Sequence, residues 1–129
     1  MPVSAYSALV AQKFANPANA GDLADRHEHA VSGQAGQREH GTQVIFQLGI
    51  DDDTISEARF RVFGCPHTVA ACELVAQRLT GQGFGDLIAP EPDELAQMLD
   101  LPEEKMGRLF IVQDALRDAL VAWDNARLA

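Results

Sequence analysis

The chain has 129 residues, the length of one domain, and its 47% hydrophobic and 22% charged residues exclude a disordered chain. Ten Lys and Arg against 19 Asp and Glu give a formal charge of −9, which repels polyanions and argues against nucleic acid or an anionic membrane as the main partner. No apolar run reaches the ~20 residues of a membrane span, and the first ten residues lack the basic start of a secretory signal, so a cytoplasmic location is expected.

A helix is predicted over 4–15: Ser4 caps it, Tyr6, Leu9, Val10 and Phe14 recur at helical spacing, and Asn16-Pro17 ends it. Residues 18–41 are polar and carry Gly21, Gly33, Gly36 and Gly41; they read as a long connection with one short strand near 30–35. Segment 43–50 alternates, placing Val44, Phe46, Leu48 and Ile50 on one face. After the polar turn Asp51-Asp52-Asp53, segment 54–63 directs Ala58, Phe60 and Val62 one way and Glu57, Arg59 and Arg61 the other. The pattern predicts an antiparallel hairpin with one buried side. At Gly64-Cys65-Pro66 the chain turns into a helix running to about Leu79, with Pro66 suited to the first helical position and Val69, Cys72, Ala76 and Leu79 inward. A short helix over 91–99 follows. The last helix starts at Pro102 and carries Leu109, Val112, Leu116, Ala119, Leu120 and Trp123 on one stripe. The predicted fold class is α+β: a small antiparallel β-sheet of about three strands with helices packed on one face, in a single domain over 1–129.

Cys65 and Cys72 fall on or beside one helix, where two turns separate their Cα atoms by roughly 10 Å, too far for a disulfide, so both thiols are expected to be free. Cys65 stands at a helix N-terminus, where the dipole and unpaired N–H groups favour the thiolate, the form that binds metal or attacks electrophiles. The alternative for this position is a half-buried small residue in a tight turn. Cys72, on the apolar stripe, is predicted to pack in the core. His67 completes a C-x-H pair that can offer two ligands to one metal, a surface histidine being the alternative. His40 precedes the first long strand as Cys65 follows the second, so antiparallel pairing makes those outer ends neighbours and brings His40 toward Cys65. His27 and His29 can bind a metal at i,i+2 if extended, but read as exposed polar loop. A thiol-dependent enzyme needs an oriented histidine and an oxyanion pocket that nothing in the sequence demands, so no enzymatic activity is predicted.

Tyr6, the run Phe14-Ala15-Asn16-Pro17-Ala18-Asn19-Ala20-Gly21, the stretch from Gly36 to Gly41, Ala58-Arg59-Phe60-Arg61-Val62-Phe63-Gly64-Cys65, Leu101-Pro102-Glu103-Glu104-Lys105 and Asp114-Ala115 follow one another in a familiar order and spacing. Over nearly its whole length the chain resembles the IscU/NifU-type scaffold proteins of iron–sulfur cluster assembly. The resemblance implies a site of three cysteines and an aspartate, often with a neighbouring histidine, at the tip formed by two loops and the last helix. Carried over by position, Cys65 keeps its cysteine, His40 stands at the first cysteine, Thr42 at the aspartate, and Gly107 and Arg108 at the histidine–cysteine pair. One cysteine with imidazoles departs from the four ligands, normally thiolates, that a [2Fe–2S] cluster takes. The chaperone-recognition motif keeps Pro102 and Lys105 and loses its second proline. The expected function is that of a cluster assembly scaffold-like protein binding iron, zinc or a cluster fragment at Cys65 and His40, with His67 as third ligand. The resemblance also implies a cysteine desulfurase or other cluster-assembly protein as partner. The alternative is a degenerate scaffold that serves those partners as a protein-interaction module without binding a cluster.

Overall fold

The structure is a computed structural model describing residues 7–24 and 26–128. Its elements are α1 (Ala8–Ala15), β1 (His29–Gln37), β2 (Thr42–Asp51), β3 (Thr54–Phe63), α2 (Pro66–Leu79), α3 (Pro92–Leu99) and α4 (Met106–Leu128). Ser4 and Tyr6 lie outside the described residues. The cap of α1 is Ser7, whose Oγ accepts from the Val10 amide at 3.2 Å and donates to the Leu99 carbonyl at 2.8 Å. Phe14, expected inward, is half-exposed: α1 buries Val10, and Phe14 at its last turn lines a groove with Pro17, Ala20 and Val69.

The three strands form an antiparallel sheet in the order β1-β2-β3. Alternation in β2 and β3 puts Val44, Phe46, Leu48, Ala58 and Phe60 on the inner face. There they meet Cys72, Val75, Ala76 and Leu79 of α2 and Leu109, Val112, Leu116 and Trp123 of α4, so the helices cover one face as predicted.

Instead of a short strand near 30–35, β1 spans nine residues. Its inward positions are Val31, Gly33 and Ala35, a weak hydrophobic signal with a structural cause. Gly33 pairs with Phe46, and α4 crosses there so closely that a Cβ on Gly33 would overlap the backbone of Ala115 and Ala119. Small residues let helix and strand meet backbone to backbone.

The segment before β1 is also fastened. The fully buried Glu73 of α2 accepts from the Asn19 amide at 2.8 Å and from Asn19 Nδ2 at 2.7 Å. Ala20 then bridges to the free edge of β3, with Gly21 N–H donating to the Phe60 carbonyl at 3.0 Å. From there the chain crosses the outer face: Asp22 pairs with Arg61, and the Leu23 amide donates to Gln47 Oε1 at 3.1 Å. No helix among the described residues is long and apolar enough to cross a membrane.

Candidate functional site

Cys65 is the N-cap of α2, with extended backbone angles and Pro66 at the first helical position. Its half-buried Sγ lies 3.5 Å from Thr68 Oγ1 and 4.0 Å from His67 Nδ1. Burial pushes the thiol up. The Thr68 hydroxyl, the backbone amides of Thr68 and His67 and the positive charge of Arg108 more than offset this, and the pKa falls below its ordinary 9.0. The site therefore shifts the thiol toward the thiolate relative to a free cysteine. Cys72 shows the contrast within the same helix: fully buried beside Glu73, its thiol is pushed well above the ordinary value, and it is a packing residue as predicted.

His67 is no surface histidine. It is 4% exposed and lies close enough to Lys105 and Arg108, around the start of α4, for their charges to act on it. Burial lowers its pKa first, and the charges of Lys105 and Arg108 lower it further, so the ring is held neutral, the form that ligates metals. Lys105 closes the turn Glu103–Lys105 and Arg108 occupies the first turn of α4. Arg108 Nε is buried and has no hydrogen-bond partner among the described residues, a donor facing an environment without an acceptor. Gly107 beside it is open: a Cβ there would meet nothing within 4 Å.

His40 ends the turn Arg38–His40 between β1 and β2. Gln43 pairs with Phe63, so this turn and the Gly64-Cys65 turn leave the same end of the sheet. Arg38 ties the two together, its guanidinium 4.7 Å over the Phe63 ring. The His40 side chain is exposed, and the polar neighbours of Cys65 Sγ are His67 and Thr68. Among the described residues, no group of three or more His, Cys, Asp and Glu side chains is set to hold a metal ion. Cys65 and His67 thus stand as a pair, with His40 at the same end of the molecule. Thr68 went unremarked in the sequence; its signal was its place three residues after an N-cap, where a hydroxyl faces the cap side chain.

His27 departs from its predicted exposed loop. Its side chain is 11% exposed and lies at the opposite end of the sheet, between Asp51 and Glu57. His29 begins β1 and is exposed.

Residues 5–128 match the family model described as NifU-like N terminal domain. The chain belongs to this family. It is 29% identical over 126 residues to the iron-sulfur cluster assembly scaffold protein IscU of Escherichia coli K12, covering 97% of this chain and 98% of that protein. It is also 29% identical over 124 residues to IscU of Rickettsia prowazekii, covering 95% of each. The crystal structure of the N-terminal part of a nitrogen-fixing NifU-like protein from Brucella abortus superposes with a TM-score of 0.65 over 92% of this chain and 94% of that one, at 16% identity, a likeness of fold. The α+β architecture read from the sequence is the architecture of this NifU-like domain.

Proposed function

We propose that this chain is an iron–sulfur cluster assembly scaffold-like protein, one domain over 1–129, that binds iron, zinc or a cluster fragment at Cys65. His67 and His40 are its imidazole ligands, and the protein does not act as an enzyme. The supporting observation is the sulfur at the N-cap of α2, held toward the thiolate by Thr68, two amides and Arg108, with a neutral imidazole nitrogen 4.0 Å away. A thiolate and an imidazole are ligands that suit iron and zinc. Family membership and the IscU relatives support the same reading, and support a cysteine desulfurase or other cluster-assembly protein as partner in a reducing cytoplasm.

The metal or cluster is cargo in this reading. Cys65 supplies the thiolate ligand, His67 stands on the buried side, and the charge of Arg108 adds to the hydrogen bonds that lower the Cys65 pKa. Elemental analysis of untagged protein tests it: the expected result is metal near one equivalent per chain, lost in Cys65→Ala and reduced in His40→Ala while circular dichroism stays unchanged. Metal-free protein that still binds its assembly partner would replace this reading with that of an interaction module.

A further inference from the structure

At the hairpin end of the sheet, far from Cys65, one imidazole is gripped on both sides. His27 Nδ1 lies 2.7 Å from Asp51 Oδ2 and Nε2 lies 2.6 Å from Glu57 Oε1. The ring rests on Gly49, where a Cβ would overlap it. A β-bulge builds the grip. Gly49 pairs with Glu57 and Ile50 with Ile55, leaving Ser56 as the extra residue, so Ser56 and Glu57, which would face opposite ways in a regular strand, both reach the same ring.

Among the described residues, the polar groups around the ring also hold its two carboxylates, and the Ser56 hydroxyl lies within 3.2 Å of the Gly49 carbonyl as well. The Ser56 hydroxyl donates to Asp51 and lies 3.1 Å from Nδ1, and the Glu28 amide donates to Asp51 Oδ1 at 2.8 Å. Arg59 Nε donates to Glu57 Oε2 at 2.6 Å, the Ala24 amide reaches Glu57 Oε1 at 3.3 Å, and the Glu28 carboxylate accepts from the Asp52 amide at 2.8 Å. Neither a metal site nor a serine triad fits this arrangement. The carboxylates sit on opposite ring nitrogens, so no cation reaches both past the imidazole, and Ser56 shares its nitrogen with Asp51.

Two carboxylates on two ring nitrogens demand two N–H donors, and only the imidazolium has them. The neutral ring keeps one N–H and turns a lone pair toward an ionised oxygen at under 3 Å, so one contact becomes repulsive. We propose that His27 is a proton-operated fastening: as imidazolium it ties Ala24 and residues 26–28 onto the β2–β3 end of the sheet, and on deprotonation it releases them.

The electrostatics agree. Hydrogen bonds to Asp51 and then Glu57 raise the His27 pKa above the ordinary 6.5, against the effect of burial. Hydrogen bonds from Ser56 and His27 and the Glu28 amide lower Asp51 to about 2, and Glu57 is lowered by Arg59 and His27 in spite of its burial, so both carboxylates stay ionised. Because the fastened state binds the proton more tightly, the tie is complete below pH 6.5 and weakens as pH rises through the raised pKa. The upstream tie at Asn19, made by Glu73 and the β3 edge, lies outside the grip, so release is confined to the downstream end.

The experiment is a histidine-ring NMR titration of the wild-type chain, paired with amide-exchange protection factors measured over the same pH range. His27 should titrate above 6.5, and protection at Ala24 and Glu28, corrected for intrinsic exchange, should fall by up to about tenfold per pH unit through the transition. Protection at Asn19 and Gly21 should stay flat. His27→Gln should abolish the pH dependence, and Glu57→Gln should bring the His27 pKa down toward 6.5. A His27 pKa at or below 6.5, or protection at Ala24 and Glu28 that changes no more than at Asn19 and Gly21, overturns the proposal. The wild-type measurement decides the matter even if a variant fails to fold, and no outcome at Cys65 bears on it.

Discussion

Each end of the sheet holds one histidine away from solvent, His67 at one and His27 at the other, and these two are driven in opposite directions. At the end holding Cys65, His67 is buried against Lys105 and Arg108 and its pKa falls; at the hairpin end His27 lies between Asp51 and Glu57 and its pKa rises. The protein as a whole is acidic, but the charges that act on His67 are the cations Lys105 and Arg108, and those that act on His27 are the anions Asp51 and Glu57. Net charge thus describes solubility and long-range attraction, whereas local chemistry follows from which element brings which side chain. The Cys65 end lowers the pKa of a thiol and leaves a buried Arg108 donor unspent among the described residues. At the His27 end, among the described residues, the ring and both of its carboxylates are hydrogen-bonded to one another, to Arg59 or to the backbone, which suits it to holding a chain segment rather than a ligand.

The contrast breaks most severely at the contact both ends share. Gly33→Val should drive β1 and α4 apart and destabilise the fold by about 3 kcal/mol, read as a lowered urea midpoint with unchanged slope. A change at the thiol end alone should alter chemistry and leave the fold: His40→Cys/Arg108→Cys adds two thiolates where the resemblance places family ligands and removes the guanidinium. After reconstitution with iron and sulfide this variant should hold several-fold more cluster than the wild type, measured by visible absorbance, and equal loading would remove Arg108 as the discriminating feature.

Smaller effects sharpen the comparison. Thr68→Ala takes away the hydroxyl that favours the thiolate, so alkylation of Cys65 at neutral pH should slow roughly threefold. Cys72 should stay unreactive in mass spectra until the protein is unfolded. The smallest effect is also the most direct: in one NMR titration His67 should protonate below 6.5 and His27 above it. The signs for stability then oppose each other. The His27 contribution is present below 6.5 and lost as pH rises through its folded-state pKa, whereas protonation of buried His67 costs stability as pH falls below 6.5. Coincident titrations would erase the distinction between the ends.

The hairpin was legible because Val44, Phe46, Leu48, Ala58 and Phe60 alternate with polar residues, and Cys65 was legible because Gly64-Cys65-Pro66 marks a strand passing into a helix. The length of β1 was not, since its inward residues include Gly33 and Ala35, small for a reason that lies in α4. The burial of His67 depends on where α4 begins, about 40 residues later, a matter of tertiary packing that no local pattern encodes. His27 was hidden for a similar reason: its partners lie 24 and 30 residues downstream, and an unpaired Ser56 is needed to aim them.

The meeting of Gly33 with Ala115 and Ala119 also works as an index for the thiol end. Arg108 lies about three turns of α4 upstream of Ala119, and a helix seated main chain against main chain has no side-chain cushion on which to slide. Any register slip of α4 along β1 must lift the helix off the strand, so the stretch of α4 that carries Arg108 keeps its register against the sheet. A partner docking at the thiol end therefore meets a helix whose seat is dictated by a buried glycine of the edge strand.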